Sequence, residues 1–408
     1  MNPALDPAMN PALNPALNPA MNPALDPAMN PALNPALNPA MNPELNPAMN
    51  PALNPALNPA INPAMNPAMN PAINPAIGFR RGLKLSQNPA DEVLENVSNA
   101  NTSLNKRRRN KANDKWQSQA HWGLARLSHS KSGQTTYRYD GNAGKGTCVI
   151  IIDSGIDAKH PEFGGRAKFL KKFSRGLNTD VLGRGTRIAS VVGSKTYGVA
   201  KRAKIFGIKA IDDISCGLEY DSVIAAMEYT MKIAPTLKCP KGVAVLIGLG
   251  GFNSTAFSKA AKGLVDAGYF LTVAAGDGGV RSGSLTPALD PRVCTVGATD
   301  REDRYWKWSN FGTNVNILAP GVDIPSLTPG LRHRGTVRAS KATVGSSTSL
   351  AAAHVAGLAA YLLGLGKDAG SLCDYIVVTG IRDVINYSSS NDSRNETANV
   401  LANNGFRE

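Results

Sequence analysis

From about residue 115 onward, the chain predicts an α/β fold with a mostly parallel central sheet covered by helices on both faces. Two observations carry this. Short continuous runs of β-branched and other apolar residues recur, as strands buried on both faces require. Between them stand stretches of helical length and composition, so strand and helix alternate. A third observation bounds the domain: residues 1–77 repeat Asn-Pro-Ala-(Leu/Met/Ile), with Asp6, Asp26 and Glu44 as rare variants. Proline in every fourth place forbids a regular helix and removes too many donors for a sheet. The repeat reads as a disordered low-complexity extension, a spacer or a self-associating tail; its period is far too short for a solenoid.

Taken in order, residues 78–114 are polar and basic, a linker or the remnant of a propeptide, and 115–408 make the globular domain. The first buried strand is 147–152, ending at Asp153-Ser154-Gly155. The glycine turn Gly183-Arg184-Gly185 leads into a helix over 187–192. A strand at 205–211, a helix at 222–233 and a strand at 243–249 follow, the last closed by Gly250-Gly251. Next come a helix at 256–267 and a strand at 269–275, closed by Gly276-Asp277-Gly278-Gly279. Shorter strands are expected at 293–298 and 315–318. The run 345–363 passes from small and hydroxyl residues into Ala and Leu, almost without charge. It predicts a helix buried in the middle of the domain with a Ser/Thr cap.

The chain has 408 residues and a net charge of +14. The one dense basic cluster, Lys106 to Lys111, sits in the linker and not on an aromatic platform, so no nucleic-acid partner is expected. The cluster reads as solvated linker charge or a dibasic processing site. No apolar run reaches the length of a membrane span, and no secretory leader opens the sequence. None of the five cysteines has CxxC spacing, which argues against zinc. Sequons at Asn96, Asn101, Asn253, Asn386, Asn391 and Asn395 fit a secreted chain but are short enough to arise by chance.

In parallel α/β sheets the working residues lie at the carboxyl ends of the strands. Asp153, Gly250 and Asp277 fall there. A serine at the mouth of the buried helix meets free backbone donors and the positive end of the dipole. An acid and a helix-mouth serine together suggest hydrolase chemistry, which also needs a base for the serine proton.

With these residues in view, the chain resembles the subtilases, in particular the proteinase K-like branch of fungal secreted serine proteases. The resemblance covers roughly 115–405 and rests on ordered segments. Among them are His121-Trp122-Gly123-Leu124-Ala125-Arg126-Leu127, Ile152-Asp153-Ser154-Gly155-Ile156, His160-Pro161-Glu162-Phe163, Val293-Cys294-Thr295-Val296-Gly297-Ala298 and His354-Val355-Ala356-Gly357-Leu358. It implies a subtilisin-like three-layer fold and a triad in the order Asp, His, Ser. The aspartate position is Asp153 and the serine position Ser349, the latter in an altered frame: Ser347 stands for glycine and Ala353 for proline. The histidine motif maps onto Gly183-Arg184-Gly185-Thr186-Arg187, so arginine occupies the base position. The oxyanion asparagine maps onto Asp277.

Arginine stays protonated and cannot accept the serine proton. Losing a triad base lowers turnover by about six orders of magnitude, and losing an oxyanion donor by about two to three. None of the five histidines, His121, His129, His160, His333 and His354, stands at a base position. Arg184 is expected to pair with Asp153 instead. The resemblance further implies disulfides Cys148–Cys239 and Cys294–Cys373, with Cys216 left over, and hence an oxidising, extracellular setting. It places substrate-flanking strands at 217–220 and at Gly248-Leu249-Gly250, with glycine replacing serine at 248. A peptide or protein in that groove is the expected partner, and the protein is expected to be a monomer. No cofactor is expected; the family's calcium site would use Pro291 and Val293, but Asn316 replaces its aspartate.

The primary expectation is therefore a subtilisin-like endopeptidase homologue with catalysis lost or severely impaired. The alternatives are a serine endopeptidase with residual or rearranged activity, and a non-enzymatic protein whose repeat carries the function. Nucleotide binding at Gly276-Asp277-Gly278-Gly279 is disfavoured, because the spacing departs from G-x-G-x-x-G.

Overall fold

The computed structural model describes residues 113–215, 219–249, 254–282, 292–329, 331–333, 336–338, 342–387 and 393–406. The tetrapeptide repeat, nearly all of the linker, Cys216, Gly250 and Pro291 lie outside the described residues.

A nine-stranded sheet forms the middle layer. Its strands, in chain order, are β1 (Cys148–Asp153), β2 (Ala167–Lys172), β3 (Lys204–Lys209), β4 (Val243–Ile247), β5 (Phe270–Ala274), β6 (Cys294–Thr299), β7 (Ile317–Pro320), β8 (Ile381–Arg382) and β9 (Val400–Leu401). Their order across the sheet is β8-β9-β7-β6-β5-β4-β1-β3-β2. Every pairing is parallel except β8 with β9. From β1 the chain builds β2 and β3 to one side and β4 to β7 to the other. The reversal puts a crevice at the carboxyl end of β1, where open α/β sheets hold their ligands.

Residue alternation along β1 shows why the sheet is buried on both faces. Val149 and Ile151 join one core, Cys148, Ile150 and Ile152 the other. The first core is covered by α2 (Arg184–Gly193) and α5 (Thr348–Gly364), after a short α1 (Trp122–Arg126). The second is covered by α3 (Tyr220–Ile233) and α4 (Thr255–Asp266). A last helix, α6, spans Leu372–Thr379. Every residue of α5 is buried, as its uncharged Ala/Leu composition requires.

Both implied disulfides are formed. Cys148–Cys239 ties β1 to the loop before β4 across 91 residues, and Cys294–Cys373 ties β6 to α6 across 79. Loops of that length stabilise by about 4 kcal/mol each in the chain-entropy account. Among the described residues no helix is long and apolar enough to cross a membrane.

Candidate active site

Asp153 is the last residue of β1 and is fully buried. Its Oδ1 accepts the Ser154 N–H at 2.8 Å. Beside it, α2 starts at Arg184, three residues earlier than the sequence suggested. The N-cap, Gly183, sits in the left-handed region at φ 77° and has no side chain to cap the helix. Asp180 does so in its place: its Oδ1 accepts the Gly183 N–H at 2.9 Å and its Oδ2 the Thr186 N–H at 2.7 Å. Ser154 locks this to the strand, donating to Asp180 Oδ1 at 2.8 Å and accepting the Gly185 N–H at 2.9 Å. A methyl on Gly185 would collide with the Gly155 carbonyl, so two glycines let α2 meet the strand end.

Arg184 pairs with Asp153 through Nη1 and Oδ2. Its Nη2 donates to the Gly248 carbonyl at 2.5 Å and to Ser349 Oγ at 2.8 Å. Ser349, in the first turn of α5, donates its own proton to the same carbonyl at 2.8 Å. The hydroxyl thus gives its hydrogen to an amide oxygen and a lone pair to a cation, and meets no base. Burial pushes the Asp153 carboxyl above its ordinary value, while Arg184 and the Ser154 N–H pull against that shift.

Gly248 makes room for this arrangement. A Cβ there would lie 2.7 Å from Asp153 Oδ2, 3.0 Å from Ile188 Cδ1 and 3.4 Å from Arg184 Nη1. A serine, the residue implied by the resemblance, would crowd the pair.

Asp277 follows β5 by way of Ala275 and Gly276. Its Oδ1 accepts the Thr348 N–H at 2.7 Å and the Thr348 hydroxyl at 2.6 Å. The carboxylate is therefore a cap on α5, placed at the positive end of its dipole. It has acceptors only, whereas an oxyanion needs a donor. Ser347 adds the N-cap proper, accepting the Leu350 N–H at 3.1 Å.

Between α2 and the first turn of α5 lies a cavity of about 190 Å³ lined by Arg184, Arg187, Ile188, Ser346, Ser347, Ser349 and Leu350. Arg187 Nε is buried with no hydrogen-bond partner among the described residues.

The structure thus brings Asp153, Arg184, Gly248 and Ser349 into one network, with Asp277 one residue removed through Thr348. Leu249 follows at the end of β4, and Gly250 lies outside the described residues. Of the calcium candidates, Pro291 lies outside the described residues, Val293 is buried and leads into β6, and the Asn316 Oδ1 accepts the Thr295 N–H at 2.7 Å. No described histidine side chain bonds to Ser349. His121 and His160 cap short helices, His129 bonds to the Ala125 carbonyl and His354 to the Leu350 carbonyl. The side chain of His333 lies outside the described residues.

Sequence reasoning missed the roles of Asp180, Gly248 and Arg187. An aspartate three residues before a glycine N-cap is a readable turn-and-cap signal. The other two roles depend on space and on neighbours distant in sequence.

The Subtilase family model, Peptidase_S8, matches residues 144–401. The chain is 48% identical over 290 residues to "Proteinase T" of Parengyodontium album, covering 71% of this chain and 94% of that protein. It is 45% identical over 291 residues to a "Cuticle-degrading protease" of Metarhizium anisopliae, covering 71% of each. Among solved structures, a cold adapted subtilisin-like serine proteinase superposes with a TM-score of 0.61 at 28% identity, over 70% of this chain and 99% of the other. With its sheet order, its two disulfides and its crevice at the carboxyl end of β1, the chain belongs to the subtilase family, among the proteinase K-like serine proteases of fungi.

Proposed function

We propose that this subtilase binds an extended peptide in its groove and cleaves it poorly or not at all. One observation carries the reading: the Ser349 hydroxyl lies between the Arg184 guanidinium and the Gly248 carbonyl. Asp153 and Ser349 stand at the acid and nucleophile positions, Arg184 at the base position and Asp277 at the oxyanion position. A guanidinium cannot take up the proton that nucleophilic attack must release. The end of β4, with Gly248 and Leu249, supplies backbone for an incoming peptide to pair with. We take the protein to act as a monomer outside the reducing cytosol, in keeping with its two disulfides.

The test is hydrolysis of a chromogenic peptide by the full chain against Ser349→Ala. Equal background rates are expected. A serine-dependent rate in the unmodified chain would overturn the reading in favour of a working endopeptidase with rearranged chemistry, which the protease names of its relatives favour.

A further inference from the structure

The cavity between α2 and α5 holds two guanidinium groups and three serines, and its charge is not balanced. Arg184 is matched by Asp153. Arg187 lines the same cavity, and among the described residues no carboxylate pairs with it. Its Nε–H is buried with no acceptor among the described residues, so the guanidinium meets the cavity through its outer nitrogens. The nearby acid, Asp277, is held by Thr348 and does not line the cavity. The remaining walls are the Ser346, Ser347 and Ser349 end of α5 and the apolar side chains of Ile188 and Leu350. Two cationic forks, hydroxyl groups and two small apolar walls suit a planar anion carried on a short carbon stem. The cavity of about 190 Å³ has room for such a group.

We propose that this cavity is a carboxylate-binding pocket, and that the peptide held in the groove is anchored there by its own carboxylate. That group is either the α-carboxylate of a C-terminus or the side chain of an Asp or Glu. Arg187 supplies the bidentate fork. Arg184, already neutralised by Asp153, adds the donors not spent on Asp153, Gly248 and Ser349. Arg187, three residues along α2 from Arg184, thus gives the groove a charge preference. The inference rests on the peptide-groove reading above for the source of the carboxylate, but not for the pocket itself.

The test uses the full chain and calorimetric titration with three versions of one short apolar peptide. The first has a free C-terminus, the second is C-amidated, and the third is amidated with one internal Asp. The free acid or the Asp peptide is expected to bind about tenfold or more tighter than the plain amide, as a charge-assisted pair supplies. Arg187→Gln should erase the difference. Whichever of the two acidic peptides gains identifies the source of the carboxylate. Equal binding of all three would overturn the carboxylate pocket and leave the groove reading standing. If none binds, the groove reading fails, and the pocket is judged with succinate alone. Succinate should raise the thermal midpoint of the unmodified chain over a chloride control of equal ionic strength, and should not do so in Arg187→Gln. No shift in either protein would overturn the proposal.

Discussion

Two helices present their first turns to the crevice at the end of β1, and the turns have opposite characters. The first turn of α5 keeps its hydroxyls: Ser347 caps it, Thr348 bonds to Asp277, and Ser349 stands where a nucleophile would. The first turn of α2 brings a cation in place of a hydroxyl. Gly183, Gly185 and Thr186 dock on Ser154 and Asp180, and the side chain entering the crevice is a guanidinium. On the proposed assignment of Arg184 to the base position, backbone complementarity and side-chain chemistry are separable: a helix holds its place against a sheet while the group it delivers is a cation and not a base.

The sharpest way to break the comparison is to restore what α2 delivers. The double variant Arg184→His, Asp277→Asn should gain several orders of magnitude in kcat/KM on a peptide substrate, since a lost triad base alone lowers turnover by about six. Ser349→Ala in that background should abolish the gain. A double variant that stays as slow as the parent would mean that the frame around α5, with Ser347 and Ala353 in altered positions, has lost catalytic geometry too. The single variant Arg184→Met asks what the cation contributes to the fold. It strands a buried carboxylate, and an unmatched charge of that kind destabilises by about 3 kcal/mol. The loss, measured by urea unfolding, should be largest near neutral pH. It should shrink in acid, because a carboxyl pushed up by burial contributes best when protonated, below its unfolded value.

The kept half of the molecule has its own pH signature. His121 and His354, the latter on α5, have rings 5.9 Å apart and are pushed down by burial to about 3 and about 4 from 6.5. Both folded values lie below the unfolded one, so the imidazoles add stability above pH 6.5 and lose it as pH falls toward about 4. Where only the unfolded chain takes the proton, each group costs about 1.4 kcal/mol per pH unit. The urea midpoint should therefore fall between pH 6.5 and 4, and His354→Asn should flatten that slope. An unchanged slope would place the acid sensitivity in other groups.

How far the sequence could be read follows the same division. β1, β4, β5 and α5 were legible because burial on all sides leaves continuous apolar composition. The edge strand β2, with its sequence AKFLKK, was not, since a half-exposed strand carries charge in place of an apolar run. The start of α2 looks like a turn because of Gly-Arg-Gly; Asp180, the readable capping signal three residues before Gly183, makes it helix. The Arg184–Asp153 pair is foreseeable because the resemblance sets the two residues at neighbouring triad positions and their charges are opposite. The binding of Asp277 to Thr348 is not, because it depends on the end of β5 meeting the first turn of α5 across 71 residues.

Gly248 is the least legible of all, because what matters is the volume it leaves empty, and it supports the finest test of the comparison. A Cβ at 248 would press on the Asp153 carboxylate at 2.7 Å and stand in contact with the Arg184 guanidinium at 3.4 Å. Gly248→Ser in the unmodified chain should lower stability by about 2 kcal/mol, in the range of overpacking a close-packed site. In the Arg184→His background the smaller imidazole leaves space, and the same substitution should cost about 1 kcal/mol less, the coupling expected of touching residues. A double-mutant cycle on urea unfolding reads that difference. Coupling would mean that glycine at 248 and arginine at 184 are two parts of one exchange. Equal cost in both backgrounds would assign the glycine to Asp153 alone, and the guanidinium would then have entered a space that was already there.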